Sequence, residues 1–149
     1  MNKIRMIALA ACMAATLDAS AQEQEIRLFS HRGGRMEHDE NTLSAFQASY
    51  DAGYRGFETD IRMTRDGALV ITHDSSLERT TDGTGTVEEK TEAEIRQLAT
   101  KQGNKMMFLD ELLEFLKGKE GLYVEFEMKT KPEALYPEER LHALSLIHI

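Results

Sequence analysis

Residues Gly56–Met63 (GFETDIRM) constrain this chain more than any other stretch. They read as a strand, and side chains along a strand alternate between its two faces. Glu58 and Asp60 therefore share one face, while Phe57, Thr59 and Ile61 share the other. A carboxylate pair on an inward face repels itself unless a cation sits between the groups or one of them is protonated. A solvent-facing edge strand is the bland alternative. The inward reading requires a sheet that gathers polar groups on its inner face and carries helices on its outer face.

The flanking sequence has that rhythm. Residues 26–30 form a compact apolar run that stops at His31. Residues 42–52 place Leu43, Phe46 and Tyr50 at helical spacing, with Asn41 as the candidate N-cap and Gly53 as the stop. Asp66-Gly67 predicts a tight hairpin turn, and residues 68–72 predict a returning strand that ends at His73. Residues 77–85 read as loop, and Thr91 to Glu94 as a capping box opening a short helix through Leu98. Leu109, Leu112, Leu113 and Leu116 form a helical stripe that ends at Gly118. Residues 122–128 predict another strand, and residues 141–144 the start of a further helix. Strands alternating with helices imply an α/β fold with a parallel sheet and crossover helices.

The polar residues fall where such a sheet keeps its chemistry. His31 and His73 each end a predicted strand, and that edge carries the site in parallel barrels and doubly wound sheets. Histidine moves protons near neutral pH. Arg32 presents a fork of donors suited to phosphate. Glu125, Glu127 and Lys129 share one face of the strand over 122–128, opposite Leu122, Val124, Phe126 and Met128. Either glutamate supplies a third carboxylate for a cation shared with Glu58 and Asp60, and Lys129 adds positive charge for phosphate. Carboxylates, a divalent cation, an arginine and two proton carriers are the equipment for breaking a phosphate ester.

The net charge of -8 argues against nucleic acid or an anionic membrane as a partner. Residues 1–21 read as a secretory signal: a basic start at Lys3 and Arg5, an apolar run over 6–17, and Ala19-Ser20-Ala21 as the cleavage site. That run is too short to span a bilayer, and nothing after it predicts a membrane span. Cys12, the sole cysteine, lies inside the leader, so the exported chain carries no thiol. Leu9-Ala10-Ala11-Cys12 also fits a lipoprotein box, which gives lipid anchoring at Cys12 as the alternative to a free periplasmic or extracellular protein.

Five stretches together resemble the glycerophosphodiester phosphodiesterase family: HRGG (31–34), ENTLSAF (40–46), GFETDIRMTRDGALVITHD (56–74), LERTTDGTG (77–85) and VEFEMK (124–129). The resemblance implies a TIM (β/α)8 barrel with a small insertion after strand two, here spanning residues 75–104. It implies His31 and His73 as the acid/base pair and Arg32 as the phosphate-binding arginine. It implies Glu58, Asp60 and the glutamate of E-x-K as ligands of Ca2+ or Mg2+. The E-x-K match is Glu127-Met128-Lys129, which selects Glu127 over Glu125. The implied reaction converts small-molecule glycerophosphodiesters to glycerol 3-phosphate and an alcohol. A phospholipase D-like action on lysophospholipids, or a non-catalytic fragment or binding module, is the alternative. Residues 35–39 (RMEHD) depart from the family pattern and bring His38 and Asp39 near the expected pocket.

A whole barrel needs roughly 250 residues. The 149 residues therefore read as the first part of one, about three β/α units over residues 22–143, and inactive as an isolated fragment. Residues 144–149 (LSLIHI) match the translation of a transposon sequencing-adapter end and are expected to be non-native, so His148 receives no role.

Overall fold

A computed structural model describes residues 27–131 and 133–145. The expected leader and Cys12 lie outside these residues, as do residues 146–149 of the expected non-native tail.

The described chain is a four-stranded mixed sheet covered on one face by helices. The strands are β1 (Phe29–His31), β2 (Gly56–Met63), β3 (Leu69–Ile71) and β4 (Tyr123–Met128). The helices are α1 (Leu43–Asp51), α2 (Glu92–Ile95), α3 (Leu109–Leu116) and α4 (Glu138–Ser145), with 3₁₀ turns at Val87–Glu89 and Glu133–Leu135. Strand β2 is central. β1 pairs with its first half in parallel, Phe29 opposite Gly56 and His31 opposite Glu58. β4 runs parallel along the other edge, Glu58 opposite Glu125 and Asp60 opposite Glu127. β3 returns antiparallel from the far end of β2, Ile71 opposite Ile61. Gly56 lets β1 and β2 close up: a Cβ there would lie 2.5 Å from the Leu28 carbonyl oxygen.

The period-two alternation of β2 decides which face is dry. Phe57 and Ile61 are fully buried with Phe46 of α1 and Leu109, Leu112 and Phe115 of α3. The Phe46 and Phe57 rings meet edge-on with centroids 5.6 Å apart. Val124, Phe126 and Met128 of β4 extend this core from their alternate positions. A second cluster, Val70, Leu77, Val87, Ile95, Met106 and Phe108, gives residues 75–104 their own small core beside β3. Thr91 and Glu94 form the expected capping box.

Four local expectations are corrected. The N-cap of α1 is Thr42, not Asn41: Thr42 Oγ1 accepts from the Ala45 amide at 3.3 Å and donates to the Asp39 carbonyl at 2.7 Å. Asn41 instead has φ 58° and points its amide into the sheet. β1 covers Phe29–His31, so His31 is its last residue, and α2 stops at Ile95. His73 follows an antiparallel strand and not the carboxyl edge of a parallel one. Among the described residues, no helix is long and apolar enough to cross a membrane.

Candidate functional site

The inner face of the sheet carries the polar residues in register. Paired residues on adjacent strands point to the same side, so His31, Glu58 and Glu125 form one row and Asp60 and Glu127 the next. β1 and β3 lie along the same edge of β2 and point toward each other. The Thr72 amide donates to the Asp60 carbonyl at 3.0 Å, which brings the following residue, His73, alongside the carboxylate rows. The hairpin at Asp66-Gly67, with Gly67 at φ 94°, makes this return possible.

Glu58, Asp60 and Glu127 meet: each offers a carboxylate oxygen within 4.8 Å of the others. Asp60 is fully buried, and its Oδ1 accepts no hydrogen bond. Lys129 Nζ lies 3.2 Å from that oxygen and 2.6 Å from Glu127 Oε1. A cation thus already stands between two of the three carboxylates. Burial, then repulsion from Asp60, pushes the Glu58 carboxyl above the usual carboxylate value. Three carboxylates with an unsatisfied buried oxygen fit a hard divalent cation, which takes oxygen ligands. Glu125, opposite Glu58 and one row from Asp60 and Glu127, is exposed and stands outside this group.

Asp60 Oδ2 is held from the other side. Asn41 Nδ2 donates to it at 3.0 Å, and Arg32 Nε lies 3.3 Å away in ion-pair contact. Asn41 Oδ1 accepts from the Thr59 hydroxyl at 3.0 Å. Among the described residues, Arg32 and Asn41 are the non-glycine residues with positive φ, at 54° and 58°. The Asn41 amide donates to the Arg32 carbonyl at 2.9 Å, so the two left-handed residues brace each other. Backbone strain of this kind persists where surrounding contacts over-determine it. Gly33, at φ 75°, lets this loop press on α1, since a Cβ would meet Ala45 Cβ at 3.0 Å.

A chain of alternating charge runs from Arg32 to the second histidine. Arg32 Nη1 donates to Glu40 Oε1 at 3.1 Å, and Arg79 grips both Glu40 oxygens at 2.7 and 3.0 Å. Arg79 Nε donates to Asp74 Oδ2, and Asp74 Oδ1 lies 2.6 Å from His73 Nδ1. Burial alone would raise the Asp74 carboxyl, but hydrogen bonds from Arg79 and His73 pull it down to about 2. An ionised carboxylate only accepts, so His73 Nδ1 carries the hydrogen of this contact. The Arg79 hydrogen bond also holds Glu40 below the usual carboxylate range. His31 Nε2 lies 3.6 Å from Glu58 Oε2.

The structure therefore gathers Arg32, Glu58, Asp60, Glu127, Lys129 and His31 directly, and ties in His73 through Asp74, Arg79 and Glu40. The sequence reading left Glu40 and Arg79 without a role and gave Asn41 only that of a helix cap, although all three fall inside the motif stretches it singled out. Asp39 does not enter the site: it accepts from Thr100 and Asn104 and fastens the loop after β1 to the insertion.

The model of the glycerophosphoryl diester phosphodiesterase family matches residues 31–149. A glycerophosphodiester phosphodiesterase of Caldanaerobacter subterraneus subsp. tengcongensis is 36% identical over 123 residues, 76% of this chain and 50% of its own. Human glycerophosphodiester phosphodiesterase 1 is 44% identical over 73 residues, 49% of this chain and 22% of its own. Among solved structures, a glycerophosphoryl diester phosphodiesterase from Parabacteroides distasonis superposes with a TM-score of 0.66 at 32% identity, covering 82% of this chain and 43% of that one. A phosphodiesterase of Oleispira antarctica, in complex with the product sn-glycerol-3-phosphate, gives 0.64 at 28% identity, covering 81% of this chain and 52% of that one. The chain spans about half the length of these proteins, or less.

Proposed function

Since this chain belongs to the glycerophosphoryl diester phosphodiesterase family and its α/β architecture is part of that family's TIM barrel, we propose that it supplies the site of a metal-dependent enzyme. That enzyme hydrolyses small-molecule glycerophosphodiesters to glycerol 3-phosphate and an alcohol. The observation that carries this reading is the meeting of Glu58, Asp60 and Glu127 within 4.8 Å beside His31, with Asp60 Oδ1 buried, without a hydrogen bond, and faced by the displaceable Lys129 ammonium.

Glu58, Asp60 and Glu127 would hold the cation, Ca2+ or Mg2+. Bound there, the ion would neutralise charge on a phosphate oxygen. Arg32 grips the phosphate with its remaining donors, while Glu40 and Asp60 fix its plane. Lys129, released from Asp60 and Glu127, turns its ammonium to the phosphate. One of His31 and His73 takes the proton from the nucleophile, either water or the neighbouring glycerol hydroxyl (whose cyclic phosphate water then opens), and the other protonates the departing alkoxide. Asp74 keeps the His73 ring in one tautomer with Nε2 toward the substrate. We further propose export of the protein, which rests on the leader-like residues 1–21.

The test is hydrolysis of glycerophosphocholine by the complete enzyme carrying this chain, with Ca2+ or Mg2+, with and without chelator, beside a His31→Ala variant. Chelator-sensitive release of glycerol 3-phosphate, lost in the variant, is the expected result. A folded enzyme that turns over no glycerophosphodiester overturns the reading, and turnover of lysophospholipids alone would redirect it to phospholipase D-like chemistry.

A further inference from the structure

The mechanism above leaves one buried ion pair unused. Arg62 lies two residues beyond Asp60 on the same face of β2, and it is only 5% exposed. Its partner Glu88, from the 3₁₀ turn of the insertion, is 4% exposed, and Arg62 Nη1 donates to Glu88 Oε1 at 2.8 Å. A buried charge pair is weak ground for stability, because desolvation offsets much of the attraction. Its use has to be sought in what else the pair touches.

Arg62 Nε donates to the carbonyl of His73 at 2.8 Å. Nη1 also donates to the carbonyl of Lys131, two residues past Lys129, at 2.8 Å. Glu88 in turn accepts from the Ser75 hydroxyl, two residues past His73, at 2.7 Å. It accepts from the Tyr136 hydroxyl at 2.8 Å, and Tyr136 takes the Met63 amide at 3.3 Å. One guanidinium and one carboxylate thus tie together β2, the segment bearing His73, the insertion, and the stretch that follows Lys129. The strand that holds Glu58 and Asp60 is a rigid reference for both of those segments. His73 itself sits after the short β3, with no ladder partner of its own.

We propose that Arg62 is a positioning residue for His73: its Nε–H fixes the His73 backbone against the carboxylate-bearing strand, and Glu88 holds the guanidinium in the plane this requires. The inference rests on the acid/base role proposed above for His73. A planar fork can serve His73, Glu88 and Lys131 together, whereas a lysine ammonium supplies a point charge on a flexible four-carbon stem. Arg62→Lys therefore separates the two uses. It keeps a positive charge for Glu88 and loses the aligned Nε–H to His73.

The experiment compares the complete enzyme with Arg62→Lys and with His73→Ala. Arg62→Lys is expected to fold with a thermal midpoint close to the parent's and to keep KM. Its kcat is expected to fall by roughly ten- to a hundred-fold, the usual cost of a misplaced proton carrier. In parallel, 15N spectra of labelled histidine report the imidazoles directly. The His73 resonances, assigned by their absence from His73→Ala, are expected to move in Arg62→Lys while those of His31 stay. If kcat and the His73 resonances are both unchanged in a folded Arg62→Lys, the role is structural and the proposal is refuted. If the parent shows no phosphodiesterase turnover at all, the functional reading fails instead, and the resonances still test whether Arg62 positions His73.

Discussion

Asn41 offers the sharpest test of how the site is held. It is 4% exposed, sits at φ 58°, and donates to Asp60 Oδ2 while accepting from Thr59. Asn41→Ala removes a hydrogen bond to a buried carboxylate, worth about 1.5–3 kcal/mol. It also puts alanine in the left-handed region, which asparagine tolerates and alanine does not, at a further cost of about 1 kcal/mol. The expected loss is about 2.5–4 kcal/mol. Asn41→Gly loses the same hydrogen bonds without the backbone penalty, so it should be about 1 kcal/mol more stable than Asn41→Ala. Both variants release Asp60 Oδ2 from its orienting donor, and loss of such an outer partner typically lowers metal affinity about ten- to a hundred-fold. Urea unfolding gives the first pair of numbers, and calorimetric titration with Ca2+ and Mg2+ gives the second. Equal stability of the alanine and glycine variants would refute the strain argument. Unchanged metal affinity in both would refute the orienting role.

Three further outcomes follow from the geometry. Glu127→Gln should abolish measurable Ca2+ or Mg2+ binding in titration while Glu125→Gln leaves it near the parent value; the reverse order would move the third ligand to Glu125. The Asp74 carboxyl is held at about 2 against an ordinary 3.8, so its ionisation stabilises the fold above pH 3.8 and that contribution is lost as pH falls toward 2. Acid unfolding of Asp74→Asn should accordingly be flatter than the parent's between those values, and parallel curves would contradict the assignment. Leu112 is fully buried between α3 and β2, so Leu112→Ala should lose about 2–5 kcal/mol in urea unfolding. A loss under about 1 kcal/mol would mean that this core is not closed as described.

How legible the site was depends on the distance over which each contact is encoded. Strand alternation is local, so the shared face of Glu58 and Asp60, and that of Glu127 and Lys129, could be read from spacing alone. The turn at Asp66-Gly67 was equally plain. Its consequence was not: reversing the chain brings His73 back along the edge of β2 that β1 also occupies, and only the register with Ile61 fixes where it stops. Asn41 was misread because asparagine is a good N-cap by type. Thr42 has the better-placed hydroxyl, and nothing in the local sequence signals that Asn41 turns inward. The Arg62–Glu88 pair spans 26 residues and the Tyr136–Glu88 bond spans 48, so no periodicity announces them. The signal available was negative: an arginine on the inner face of a buried strand must find a carboxylate somewhere.

The charges of the site account for one another in a way that bears on the proposed chemistry. Glu40, Glu58, Asp60, Asp74 and Glu127 face three permanent cations, Arg32, Arg79 and Lys129. With both histidines neutral, two negative charges remain, and burial together with repulsion from Asp60 raises the Glu58 carboxyl. A divalent cation among Glu58, Asp60 and Glu127 balances that excess. Protonation of one histidine, the state an acid catalyst needs, then leaves a single positive charge. A phosphodiester carries a single negative one. Charge balance therefore supports the proposed arrangement, in which a metal is bound, one histidine is protonated and a singly charged ester lies between them.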